Sequence, residues 1–117
     1  MFNQAILVGY LGHDPELRHS SGGRAVTTFS LATSESWVKD GERVTQTEWH
    51  RLVAWGKLAE ICCQWLRKGS LILVRGQITY RNWEKDGQKR TSTEVVIQEM
   101  KMIGPAPKDE PPEDVPF

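Results

Sequence analysis

The residues with the most chemical potential lie in the run Glu48-Trp49-His50-Arg51-Leu52-Val53-Ala54-Trp55. In an extended strand successive side chains point to opposite faces, so Trp49, Arg51, Val53 and Trp55 share one face and His50, Leu52 and Ala54 the other. Indole rings interleaved with a guanidinium suit a single-stranded nucleic acid, whose bases stack on the rings while the cation neutralises phosphate. A saccharide would also stack on tryptophan but has no need of the cation. The chain holds five tryptophans, Trp37, Trp49, Trp55, Trp65 and Trp83. That is more than one small core takes up, and surplus copies serve to grip a ligand. Trp37 and Trp83 stand near turns, flanked by Lys39, Arg81 and Lys85, where they would extend the same surface. Arg18, Lys57, Lys68 and Arg81 are further candidate cations. Trp65 falls on the apolar stripe of a helix and is expected in the core.

Other chemistries find little support. There is no pair of carboxylates in a cleft motif, no nucleophile beside a base and no phosphate-cradling glycine loop, so an enzyme is not expected. The adjacent Cys62 and Cys63 fit neither zinc nor disulfide spacing and read as packing on a helix. His13, His19 and His50 are scattered, and neither a metal nor a cofactor is implied. The longest apolar runs, Ala5 to Val8 and Leu71 to Val74, are far below the ~20 residues of a membrane span. The opening residues lack a signal-peptide pattern, so the expected location is the cytoplasm.

These side chains need a frame. Ala5 to Leu11 is an aliphatic strand that stops at Gly12-His13-Asp14-Pro15. Ala25 to Val38 alternates with period two, and its polar continuation from Ser34 carries Trp37 out on an extended hairpin. The pair Asp40-Gly41 supplies the positive φ angles of a tight turn, returning the chain as a third strand, Val44 to Trp55. Leu58, Ile61, Cys62, Trp65 and Leu66 recur at helical spacing, with Lys68-Gly69 as the expected helix exit. Ser70 to Trp83 and Lys89 to Gln98 form a second hairpin across Asp86-Gly87. Three strands, one helix and two strands predict an all-β, five-stranded Greek-key barrel of the OB-fold type, its helix between strands three and four.

The 117 residues suffice for one domain, expected over residues 1–103. Residues 104–117 are proline-rich and polar and are expected to be a short disordered linker and tip. The formal charge is zero, yet residues 108–117 carry net −3 and residues 1–107 net +3, a weakly basic body with an acidic tail. Leu71-Ile72-Leu73-Val74 and Val95-Val96-Ile97 are apolar on both faces. One helix cannot cover the outside of such a barrel, so self-association is expected.

Longer motifs give the pattern a family likeness. Ile6-Leu7-Val8-Gly9, Asp14-Pro15-Glu16, Leu31 to Trp37, Thr47 to Arg51, Gly56 to Glu60, Leu66 to Ser70, Gly76-Gln77, Thr93 to Val96 and Asp114-Val115-Pro116-Phe117 resemble the bacterial single-stranded DNA-binding protein family. The resemblance implies a homotetramer that coats single-stranded DNA in replication, recombination and repair. It implies that Trp37, Trp49, Trp55 and Trp83 stack on bases and that Arg18, Arg51, Lys57, Lys68 and Arg81 follow the backbone. Asn3, His50, Leu71, Leu73 and Arg75 are implied at subunit contacts. The tip Glu113, Asp114, Val115, Pro116 and Phe117 is implied as a docking peptide for genome-maintenance proteins. Gln4 and Asn82 are neutral where that family often has basic residues, and the linker before the tip is short. The alternative is a primosome-type OB-fold adaptor whose main role is protein recruitment.

Overall fold

The computed structural model describes residues 1–104. The elements are β1 (Ala5–Leu11), β2 (Arg18–His19), β3 (Ala25–Lys39), β4 (Glu42–Trp55), α1 (Lys57–Trp65), β5 (Leu71–Lys85) and β6 (Gln88–Met102). Five strands close into a barrel in the order β1-β5-β6-β4-β3, and β3 returns to β1 through Tyr10↔Ala32 and Leu11↔Leu31. The pair β4–β6 is parallel, at Leu52↔Val95 and Val53↔Val96, and the other barrel pairs are antiparallel. This is the expected five-stranded OB barrel with its helix after the third barrel strand. The two-residue β2, annexed to β3 at Val26 and Ala25, was not visible in the sequence pattern.

Both expected hairpins form. Asp40 and Gly41 have φ of 52° and 79°, and Asp86 and Gly87 have 52° and 77°. Positive φ at both central residues is the turn whose twist matches a right-handed ribbon. Each ribbon runs far past the barrel: β3 and β4 pair from Lys39↔Glu42 down to Val26↔Trp55, and β5 and β6 from Lys85↔Gln88 downward. Beyond the barrel the arms are exposed, and polar cross-strand pairs such as Ser34–Thr47 and Ser36–Thr45, each 3.0 Å, support them in place of a core.

The barrel interior is filled by Phe29, Leu31, Leu52, Ile72, Val74 and Met100, with Leu11 and Ile97 near the ends. Two glycines let the sheet coil this tightly. A Cβ on Gly9 would lie 2.1 Å from the Ala32 carbonyl oxygen, and one on Gly76, at a bulge in β5, 2.1 Å from that of Val96.

Helix α1 closes one end of the barrel with Ala59 and Cys62, and Leu66, just past it, is also fully buried. Here two expectations are corrected. Lys68-Gly69 is not the helix exit: α1 ends at Trp65, Leu66 turns extended, and Lys68-Gly69 lies in the next turn. Trp65 is half-buried and stands outside the core cluster. It lies about 60° round the helix axis from Cys62, at the edge of the stripe that Ala59 and Cys62 centre. Among the described residues no helix is long and apolar enough to cross a membrane.

Two outcomes follow. Leu66→Ala should cost ~2–5 kcal/mol of stability as a core truncation. Trp65→Ala should cost clearly less; equal shifts in the urea midpoint would return Trp65 to the core. Burial pushes the Cys62 thiol up from 9.0 to about 12, with neighbouring Cys63 adding to the shift. The unfolded thiol therefore ionises first, and stability that is fully present below pH 9.0 is lost as the pH rises toward about 12. A Cys62→Ala chain should show a flatter fall in melting temperature across that range.

Candidate nucleic-acid interface

The β3–β4 register sets the site. Trp49, Arg51, Val53 and Trp55 lie opposite Ala32, Ser30, Thr28 and Val26 on the outward face of the barrel. Val53 is itself buried, forming the floor where the barrel's second hairpin crosses alongside. Across this face runs an open groove of about 760 Å³. Its floor is Val26, Thr28, Ser30, Val53 and Val96, with Trp55 standing in it. Arg18, Arg51 and Arg81 reach it from three different strands. Thus Arg18, Arg51, Trp55 and Arg81, spread over more than 60 positions of sequence, converge on one concave surface.

The neighbouring aromatics extend it to different degrees. Trp49 shares the β4 face and is 61% exposed, and its ring covers Gly12, where a Cβ would come within 2.6 Å of Cζ3. Trp83, 39% exposed, lies on the same face of the second arm as Arg81, and its indole N–H donates to Ser92 Oγ at 3.1 Å. Trp37 does not join them. It pairs with Val44, and alternation places that pair on the opposite face of the ribbon from Trp49. The two-residue Asp40-Gly41 turn already fixed this, since it pairs Lys39 with Glu42 and hence Trp37 with an even-numbered residue. Lys57 opens α1 and Lys68 lies in the loop beyond it, both exposed and outside the groove lining; the Lys68 amide donates to Asp14 Oδ1 at 2.7 Å.

Several contributors escaped sequence reading. The Arg24 guanidinium lies 4.9 Å from the Trp55 ring centre and that of Arg90 5.8 Å from Trp83, cation–π distances that give each indole its own arginine. Glu94 lines the groove, and its Oε2 accepts a 2.7 Å hydrogen bond from Arg51 Nε. Glu16 approaches Arg18 at 3.9 Å, but both side chains are largely exposed, so this pair contributes little. Arg90 faces Trp83 across the Asp86-Gly87 turn and Glu16 is two residues from Arg18, whereas only the pairing of segments distant in sequence brings Glu94 to Arg51 and Arg24 to Trp55. Among the described residues no group of three His, Cys, Asp or Glu side chains could hold a metal ion.

Comparison with known proteins places this barrel. The single-strand binding protein family matches residues 2–103. The chain belongs to that family. It is 47% identical over 106 residues to single-stranded DNA-binding protein 1 of Chlorobaculum tepidum, covering 87% of this chain and 65% of that protein. It is 49% identical over 104 residues to the single-stranded DNA-binding protein of Neisseria meningitidis serogroup A, covering 87% and 60%. The chain thus spans about 60–65% of the length of these curated relatives. A solved Plasmodium falciparum SSB in complex with ssDNA superposes with a TM-score of 0.79 at 29% identity, over 89% of this chain and 97% of that one.

The remaining candidate residues of this family member lie away from the groove. Asn3 continues β1 alongside β5: its Nδ2 donates to the Ile78 carbonyl at 2.8 Å and its Oδ1 accepts from the Ile78 amide at 3.0 Å. His50 Nε2 is 2.8 Å from Thr33 Oγ1. Leu71 and Leu73 lie opposite Tyr10 and Val8 on the outer surface of β1 and β5. Arg75, opposite Ile6, donates to Gln98 Oε1 at 3.1 Å and reaches Glu99 at 3.7 Å. Residues Glu113, Asp114, Val115, Pro116 and Phe117 lie outside the described residues.

Proposed function

We propose that the chain binds single-stranded DNA without sequence preference, through the groove of the barrel and the faces of its two arms. The observation that carries this reading is the convergence of Trp55 with Arg18, Arg51 and Arg81 on one open, apolar-floored groove, with Trp49 and Trp83 exposed beside it. Unstacked bases gain π contact on the indoles, the valine floor takes their faces and edges, and the cations at the groove's sides, Arg18 and Arg81, neutralise phosphates. Lys57 and Lys68 are proposed backbone contacts at the helix side. Trp37, on the reverse face of its ribbon, is reached by a strand that wraps the arm. A duplex offers neither free base faces nor a single backbone to follow. The role that fits such binding is to coat and protect single strands during replication, recombination and repair. The acidic segment Glu113 to Phe117 is proposed to recruit partner proteins of those processes, docking by its acids and the Phe117 ring.

A homo-oligomer, a tetramer by family likeness, is part of the same reading. Ile6, Val8 and Tyr10 are exposed on β1, opposite Arg75, Leu73 and Leu71 of β5. Strand β1 meets β3 only at Tyr10 and Leu11, so Ala5 to Val8 pair on the β5 side alone. An apolar face beside a half-paired strand edge favours a second copy of the chain. Asn3 and His50 flank this region in the proposed contact.

Poly-dT should quench most tryptophan emission and duplex DNA of equal length should do little; equal binding of the duplex would sink the reading. Trp49→Ala should weaken poly-dT binding by ~1–3 kcal/mol while leaving the unfolding midpoint near that of the parent. Light scattering should report an oligomer of the 13.3 kDa chain, and Val8→Glu should shift it toward the monomer; a parent chain monomeric at micromolar concentration refutes the self-association.

A further inference from the structure

The groove contains an acid for which a phosphate channel has no obvious use. Across the sheet the order is β5, β6, β4, β3, β2, so Arg81 stands on one side, Arg18 on the other, and Glu94 and Arg51 between them. The Glu94 side chain is only 9% exposed, whereas that of Arg51 is 52% exposed. Their 2.7 Å contact runs through Arg51 Nε and does not engage the guanidinium's terminal Nη groups. The middle of the groove is therefore close to neutral, and Arg81 and Arg18 stand at its two sides; the groove's other acid, Glu16, lies 3.9 Å from Arg18, but both of those side chains are exposed and water screens the pair.

We propose that Glu94 cancels the charge of Arg51 at the groove centre and so decides which side of the bound strand meets the floor. Base edges face inward, and phosphates run along the Arg81 and Arg18 sides. The inference rests on the single-stranded DNA reading above and assigns a task within that site. An uncompensated guanidinium on the floor would draw a phosphate down onto Val53 and Val96, stripping its hydration and turning the bases away from Trp55. With Glu94 in place, a phosphate there meets repulsion from the carboxylate along with attraction from the guanidinium. A base edge carries no net charge and offers carbonyl acceptors to the Nη groups and N–H donors to the carboxylate. Bases turned inward also lie within reach of the Trp55 ring, on the same face of β4 as Arg51. Glu94 is thus a positioning residue that acts through Arg51.

The test is the salt dependence of poly-dT binding together with the limiting tryptophan quench. Each phosphate neutralised on a single strand contributes about −0.7 to the log–log slope. Arg81→Gln should flatten the slope by about 0.7, and Arg51→Gln should leave it unchanged. Glu94→Gln should steepen it by about 0.7 and reduce the limiting quench, because the freed Arg51 now captures a phosphate. Adding Arg51→Gln to Glu94→Gln should restore the parent slope. If Arg51→Gln flattens the slope as much as Arg81→Gln does, a phosphate already sits on Arg51 and the proposal is overturned. A steepening that survives in the double variant overturns it too, since that would be a general effect of charge. Should Glu94→Gln fail to fold, the comparison of Arg51→Gln with Arg81→Gln still decides. Failure of the parent chain to bind poly-dT at all would instead remove the functional reading beneath it.

Discussion

Two parallel residue pairs, Leu52 with Val95 and Val53 with Val96, hold the chain's two long hairpins side by side. Each hairpin is coherent in itself, with a tight Asp-Gly turn and an uninterrupted ladder at its outer end. Without the β4–β6 contact, however, the sheet would stay open with the ribbons joined only through β1, and Arg51 would have no Glu94, nor Trp55 a neighbouring Arg81. The pairing is short because the barrel's curvature brings the two strands together only there. Leu52 and Val95 point inward to the core, whereas Val53 and Val96 point outward and become the groove floor. One contact thus joins the interior that stabilises the fold to the groove proposed as the binding surface.

Stability is distributed accordingly. Phe29, Leu31, Leu52, Ile72, Val74 and Met100 are fully buried in the barrel, each contributing ~1.5–3 kcal/mol by removal from water. Nothing comparable supports the arms, where side-chain pairs in water add only a few tenths of a kcal/mol to ~1 kcal/mol each. The barrel is therefore the better supported part and the arms the less supported one, and the candidate stacking tryptophans are divided between them. Trp55 belongs to the barrel, beside the groove floor, whereas Trp83 rides on an arm. A flexible single strand of varying sequence suits such a division, with one fixed platform and others that follow it.

Charge is arranged on the same principle. The weakly basic body does not present a uniform positive face. Arginines reach the groove from β2, β4 and β5, and the central one is matched by a buried acid on β6. Arg24 and Arg90 rest over the Trp55 and Trp83 rings, where a cation interacts favourably with the indole face. The apolar surface of β1 and of the barrel end of β5, at Leu71 and Leu73, is formed by residues outside the groove lining, so the proposed self-association and groove binding need not compete for the same residues.

The sequence by itself determined whatever depends on local geometry. Period-two alternation located the strands and put Trp49, Arg51, Val53 and Trp55 on one face. The Asp-Gly pairs located both turns, and through them the register that separates Trp37 from Trp49 was also present in the sequence. Helical spacing located α1 but placed Trp65 in the core, because a stripe read from residue types does not say where its centre will dock. Strand β2, only two residues long, has no period to read. The same turn logic sets Arg90 opposite Trp83, whereas the partners of Arg51 and Trp55 were beyond sequence reading for a different reason. Glu94 lies 43 residues from Arg51, and the two meet only because a closed barrel must bring β6 beside β4. Local geometry fixes where a side chain points, and closure of the sheet fixes what it points at.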